Sequence, residues 1–380
     1  DLLFTVNRTS DNGFIACGQT KSYGNAAGDA WLVKTDASGN VQWSKKYGDG
    51  NVNGELAYDV TQLSDGGYAF CGVRRFAGGV AESFVLRTDN QGNVIWSKQY
   101  GINGSDDANG ILEDGNFLLV TGFYQDGVSF YSGYVMKLDK SNGVIQWIKG
   151  YDAENRSTWL GKLTKTNTGY QVGSVITDNY ADQNQQLCIW NLNTDGTIQN
   201  VRKLSIPGIW SISYGWYSLA DGGFIAVNSE NNATSDAIIC RVNANGSLAW
   251  SKKYIRPGRQ QITGISASVE GGYAATGANN NPGTIADSNN VYVMRVDSLG
   301  DAGNCSGITT TDLTVVTPSF TLPVPNLVDL GNVTINNPVI TVGVVSPAPF
   351  TNTLCFYCLP KPTGTARPAS SGTGGERLHG

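Results

Sequence analysis

Apolar and polar positions in this chain alternate in short blocks separated by Gly, Asn, Asp and Ser. No window holds the i, i+3, i+4, i+7 spacing of an amphipathic helix. Runs such as YAFCG and FVLRTD are almost continuously apolar, as expected of strands buried on both faces. Between the runs stand D-G-G and D-x-x-G turns, whose glycines suit a backbone with φ > 0. The pattern predicts an all-β chain.

The blocks repeat. SDNGFIACG followed by DAWLVKTDASGNVQWSKKYG returns as SDGGYAFCG followed by ESFVLRTDNQGNVIWSKQYG. Four looser copies follow, the fourth copy being the most degenerate and the sixth losing its tryptophan. Equivalent turn residues are Asp36, Asp89, Asp139, Asn193, Asn243 and Asp297, spaced by 53, 50, 54, 50 and 54 residues. Each copy parses into four strands, A to D, with A innermost and D outermost. A unit of that length cannot bury both of its sheet faces alone, and it matches one blade of a β-propeller. Residues 1–306 are therefore expected to form a six-bladed propeller, with a seven-bladed wheel as the alternative.

Residues 307–358 change character: Lys and Arg vanish, and β-branched residues alternate with Pro and Asn. They read as a C-terminal β extension that completes blade six, builds a divergent seventh blade or forms a small appended domain. Residues 359–380 have the composition of a flexible Pro/Gly/Ser tail. The first strand pattern is already under way at Asp1, which suggests a leader upstream.

In strand D, Trp43, Trp96, Trp147 and Trp250 recur at one position and are expected to anchor one blade against the next. Lysines beside them (Lys45, Lys46, Lys98, Lys149, Lys252 and Lys253) are expected to protect an exposed outer edge from strand pairing. Cys17, Cys71, Cys188 and Cys240 sit in apolar runs and read as buried hydrophobes. Cys305 is expected to pair with Cys355 or Cys358, which implies an oxidising compartment.

The string D-G-G-[YF] followed by T-D-x-x-G-N-V-x-W-S-K-x-Y-G resembles the repeats of secreted propeller proteins of bacteria and archaea, frequent among Bacteroidetes surface proteins. The resemblance covers roughly residues 2–304 and implies a propeller, secreted or at the cell surface, without naming an activity. The turn is also similar to the tryptophan-docking motif of quinoprotein propellers, best matched by Asp139, Gly143 and Trp147. The adjacent-cysteine pair of those enzymes has no counterpart here, so their activity is not carried over.

Composition narrows the function. The net charge is -5 with a pI near 5.0, which disfavours nucleic acid as a partner. No apolar run is long enough for a membrane-spanning helix. The one histidine is His379, in the tail, so neither a Ser-His-Asp set nor a His-based zinc site is expected. No cofactor is expected, with one exception for Ca2+: Asp49, Asn51 and Asn53 open like a calcium loop but lack the closing Glu. In blades four and five aromatics break the repeat, and Trp210, Tyr214, Trp216 and Tyr217 are candidates for stacking on a ligand. The chain thus reads as a non-catalytic propeller for binding, adhesion or assembly, with a protein partner or self-association. A carbohydrate-binding or carbohydrate-active protein and a structural subunit of a surface filament or secretion complex are the alternatives.

Overall fold

The computed structural model describes residues 1–23, 26–48, 54–101, 104–126, 130–154, 156–177, 186–205, 215–229, 236–254, 259–268, 271–280, 289–302, 308–310, 314–316, 320–321 and 328–332. These form six sheets and no helix, in a six-bladed β-propeller arrangement.

Blade one comprises β1 (Leu2–Arg8), β2 (Phe14–Thr20), β3 (Asp29–Thr35) and β4 (Val41–Tyr47). Blade two comprises β5 (Glu55–Gln62), β6 (Tyr68–Arg75), β7 (Ala81–Thr88) and β8 (Val94–Gly101). In blade three these strands are β9 (Asp106–Asp114), β10 (Phe117–Asp126), β11 (Phe130–Asp139) and β12 (Ile145–Ala153). Blade four has β13 (Ser157–Lys165), β14 (Tyr170–Thr177), β15 (Gln186–Leu192) and β16 (Ile198–Ser205). Blade five has β17 (Trp216–Ser218), β18 (Phe224–Ser229), β19 (Ala237–Val242) and β20 (Leu248–Tyr254). Blade six shows three strands among the described residues: β21 (Arg259–Ala267), β22 (Tyr273–Asn280) and β23 (Asn289–Val296).

Each blade is an antiparallel meander, and the core lies between blades. Ile15, Cys17 and Leu32 of blade one share a cluster with Val60, Phe70 and Leu86 of blade two. Four further clusters join blades two to three, three to four, four to five and five to six. Strands B and C therefore bury both faces, as their unbroken apolar runs require. Cys17, Cys71, Cys188 and Cys240 are buried free thiols, and burial pushes each thiol pKa up. Cys305, Cys355 and Cys358 lie outside the described residues.

Strand D of one blade clasps the turn between strands C and D of the next. A Cβ built on Gly143 would lie 3.0 Å from the Trp96 ring, and one on Gly196 would lie 2.8 Å from Trp147. Trp43 stands over Gly92 in the same way, and Trp250 over Gly300. The indole N–H of Trp96 donates to the Lys140 carbonyl (3.0 Å), and that of Trp250 to the Ser298 carbonyl (2.9 Å). Four residues on, the hydroxyls of Tyr47, Tyr100, Tyr151 and Tyr254 donate to the carbonyls of Gly92, Gly143, Gly196 and Gly300 at 2.6–2.9 Å. A half-buried Trp removes about 100 Å² from water, about 2–3 kcal/mol. Each hydroxyl bond adds about 1 kcal/mol, so the indole is the larger part. Blade four departs: Asn200 stands where Trp would be, pairs with Asn191, and Arg202 covers Gly246 instead.

The lysines of strand D in blades two to five do not stand on an open edge, as the sequence suggested. β24 (Ile308–Thr310) pairs antiparallel with β20, β25 (Thr314–Val316) with β16, β26 (Phe320–Thr321) with β12 and β27 (Val328–Asn332) with β8. The chain after blade six thus runs back over blades five, four, three and two as a belt, adding a fifth outer strand to each. Beneath it Lys203 pairs with Glu154, Lys252 with Asp301 and Lys253 with Asp236, while on blade one, which no described belt strand reaches, Lys46 pairs with Asp29. Lys45 is buried and donates to Asn93 Oδ1 of blade two (2.7 Å).

The clasp makes a clean comparison between two glycines. Gly39 and Gly196 have the same backbone (φ 85° and 81°), but nothing stands within 4 Å of Gly39. Ala at either site meets the same backbone strain, about 1 kcal/mol. Gly196→Ala must also displace Trp147, so its loss of stability in denaturant unfolding is expected to exceed that of Gly39→Ala by about 1–2 kcal/mol. Equal losses would show that the indole contact contributes nothing.

Candidate functional site

Three features of the wheel are candidates for function: buried acids at its rim, the aromatic cluster between blades four and five, and the outward face of β1.

At the rim, a residue at the start of strand C meets the first residue of strand A in the following blade. Asp29 faces Glu55 between blades one and two, and Glu82 faces Asp106 between blades two and three; all four are at most 5% exposed. Gly48 and Gly101, which end the W-S-K-x-Y-G motif, leave the room: a Cβ on Gly48 would fall 2.5 Å from Asp29 Oδ1, and one on Gly101 would strike Glu82. The first pair is matched by cations. Lys46 Nζ lies 2.6 Å from Asp29, and Arg74 Nε lies 3.4 Å from Glu55. In the second pair the two carboxyls hydrogen-bond to each other. Burial, and then the Asp29 charge, raise the Glu55 pKa to about 8 against the pull of Lys46. Burial and the Asp106 carboxylate raise that of Glu82 to about 8 as well. Blade three carries Ser132 and Blade four Ser157 at these stations, so the motif stops after two interfaces. These acids join blades through proton sharing and ion pairs. They were not evident in the sequence, although the glycine that closes the strand D motif in blades one and two marks their place.

Nearer the axis, Asp59 of β5 is buried and accepts the Ile111 backbone N–H (3.1 Å), while Lys162 of β13 approaches to 3.6 Å. One carboxylate thereby ties the inner strands of blades two, three and four. Among the described residues no three His, Cys, Asp or Glu side chains converge as a metal site. Asp49, Asn51 and Asn53 lie outside the described residues, in the crossover from Gly48 to Gly54.

Of the four aromatics proposed to stack on a ligand, Trp210 and Tyr214 lie outside the described residues. Trp216 and Tyr217 are adjacent on β17 and point to opposite faces. Trp216 is buried, with its indole against Gly173 of blade four. It lines a cavity of about 10 Å³ with Trp159, Lys162 and Leu187, room for about one water. Its ring face is thus used between blades. Tyr217 is exposed. The anchors Trp43, Trp96, Trp147 and Trp250 stand at blade junctions.

The third feature is apolar and exposed. Leu2, Leu3, Phe4 and Val6 of β1 are 44–61% exposed, and Phe14 beside them is 39%. Inner-strand residues of other blades, such as Val60, Ile111, Leu160 and Ile262, are buried. The difference follows from the clasp. Blade one packs on blade two, but no described strand D of blade six covers its other side, and Gly39 in its receiving turn stands open. The sequence signal was the tryptophan missing from the sixth copy.

No family model and no curated protein matches the chain. Among solved structures, a protein of unknown function from Dyadobacter fermentans is similar at TM-score 0.51 and 11% identity, over 77% of this chain and 93% of its own. A subtype N10 neuraminidase-like protein of A/little yellow-shouldered bat/Guatemala gives TM-score 0.42 and 10% identity, over 73% and 90%. An alpha-L-arabinofuranosidase from Lactobacillus brevis gives 0.36 and 10%, over 63% and 90%. At such identity the likeness is one of fold, and fold does not carry activity.

The rim acids have a measurable signature. Glu55 and Glu82 keep a proton in the folded chain where an unfolded Glu has lost it. Their contribution is therefore fully present below about pH 4 and is lost as pH rises to about 8. The melting temperature is expected to fall by several degrees from about pH 5 to about pH 9, and Glu82→Gln is expected to shrink that fall. A variant whose pH profile follows the parent's would remove Glu82 from this role.

Proposed function

We propose that this chain is a non-catalytic binding propeller, secreted or held at a cell surface, that engages a protein partner through the outward face of blade one. The observation that carries this is the exposed apolar group Leu3, Val6 and Phe14, which the β1–β2 register places on one face of blade one. Scattered apolar residues on a surface need no explanation, but a contiguous group marks an interaction site. Repetition supports the non-catalytic part. The turn aspartates accept backbone N–H bonds of their own turns, as Asp36 does from Ser38 and Asn40 and Asp89 from Gln91 and Asn93. The D-G-G aspartates pair with strand C, Asp65 with Arg87 and Asp221 with Arg241, as does Asp11 of the D-N-G turn with Lys34. The rim acids join blades. Each recurring acid thus has a structural use, whereas a catalytic pair needs carboxyls open to substrate. The resemblance of the repeat to bacterial surface propellers supports a place outside the cell.

The double variant Leu3→Asp, Val6→Asp tests the reading. Both side chains are exposed, so the melting temperature should stay within about 2 °C of the parent. Binding of the labelled protein to cells of its source is expected to weaken at least about tenfold, because two charges are placed in an apolar contact. Val144→Asp, an exposed apolar residue in the turn of blade three, should leave binding unchanged. Equal binding by the parent and the double variant would sink the proposal.

A further inference from the structure

The belt has a missing station, and its geometry says where that station is. Four short strands pair in turn with the D strands of blades five, four, three and two. Each lies on the same part of strand D: Lys252–Tyr254, Lys203–Ser205, Asp152–Ala153 and Lys98–Gly101. Three to six residues separate consecutive stations: 311–313, 317–319 and 322–327. The prolines of this stretch, Pro318, Pro323 and Pro325, all fall between stations. That is where a residue without a backbone N–H belongs.

Blade one comes next in this order. Its sheet has four strands, and β4 pairs only with β3 among the described residues. The equivalent part of strand D is Lys45–Gly48. Beyond Asn332, one more spacer of three to six residues reaches Asn336 to Val339. Pro338 closes that spacer, and Val339-Ile340-Thr341-Val342 follows, as free of charge as the stations Ile308–Thr310 and Thr314–Val316.

We infer that the outer edge of β4 is the fifth station of the belt and that its occupant is the chain's own segment Val339–Val342, paired antiparallel with Lys45–Gly48. The register follows from the stations already present. Their first residues pair at the strand D tyrosine position or one to two residues past it, Ile308 with Tyr254, Thr314 with Ser205, Val328 with Gly101 and Phe320 with Ala153. Val339 accordingly stands opposite Gly48, and Thr341 opposite Lys46. Backbone hydrogen bonds supply the affinity, as in other cases of strand addition to an open edge. Occupation removes the last long open D edge among the described residues, which would otherwise template pairing between chains. The inference stands apart from the binding face of blade one, because it concerns the outer edge and not the apolar group on β1.

Hydrogen exchange read by mass spectrometry tests it on the full chain. Amides of Lys45–Gly48 are expected to exchange at least about tenfold more slowly than in a chain ending at Asn332, while Lys98–Gly101 stays equally protected in both. Two point variants guard against a truncated chain that fails to fold. Successive amides of a strand point opposite ways, so one of Ile340→Pro and Thr341→Pro must remove a bond to β4 and release its protection. Equal exchange of Lys45–Gly48 in the parent and all variants overturns the inference. Light scattering supplies the other outcome. Protection that appears only with a mass twice 40.4 kDa would assign the strand to a second copy and overturn the choice of occupant.

Discussion

An indole resting on a glycine of the next blade is the contact on which the wheel depends. A blade is a twisted four-stranded sheet with two apolar faces, and it is stable only when both are covered. Strand D reaches furthest from the axis, where neighbouring blades splay apart and small side chains would leave a gap. Trp fills that gap only if the opposing turn has no Cβ. That explains why Gly92, Gly143, Gly196 and Gly300 take a left-handed conformation under a ring. The tyrosine hydroxyl then satisfies the carbonyl that the turn points inward. One motif, D-x-x-G-N-V-x-W-S-K-x-Y, therefore holds two halves of different joints: its turn receives the preceding blade and its strand grips the following one.

This division explains the ends of the wheel. Blade six keeps Asp297 and Gly300 although no strand D follows among its described residues, because that turn serves Trp250 and Tyr254 of blade five. Blade one keeps Asp36 and Gly39, yet Gly39 has nothing above it. Five junctions have a receiving turn filled from the preceding blade, and the junction between last and first does not. The exposure of Leu3 and Val6 is the consequence at the inner strand. The exposed apolar face at that position is thus a by-product of where the repeat stops.

Legibility in the sequence followed the repeat. Six blades, the strand boundaries and the anchoring role of Trp43, Trp96, Trp147 and Trp250 were readable because each is written several times over. Trp216 was legible as an inner-strand residue but not as a filler against Gly173, because that contact occurs once. Asp29, Glu55, Glu82 and Asp106 were hidden for a related reason: the pairs form between residues 24 to 26 apart in different sheets, and only two of the junctions carry them. The lysines of strand D in blades two to five misled. Lys on a strand usually marks an open edge, and nothing within a blade announces that a distant segment will cover it.

The belt changes what kind of propeller this is. In a wheel joined only by neighbours, each blade answers to two others, and disruption of one junction stays local. A segment that pairs with blades five, four, three and two in succession couples them through the backbone, whatever their side chains do. Blade four shows the use of this. It lacks both the tryptophan and the tyrosine of the clasp, having Asn200 and Leu204 in their places, and its strand D is still paired on both sides by β15 and β25. Backbone pairing needs no particular side chain, so the belt lets a blade lose its side-chain clasp and remain seated. A repeat can then drift in sequence, as the fourth copy has, while its place in the wheel is kept by a strand from outside it.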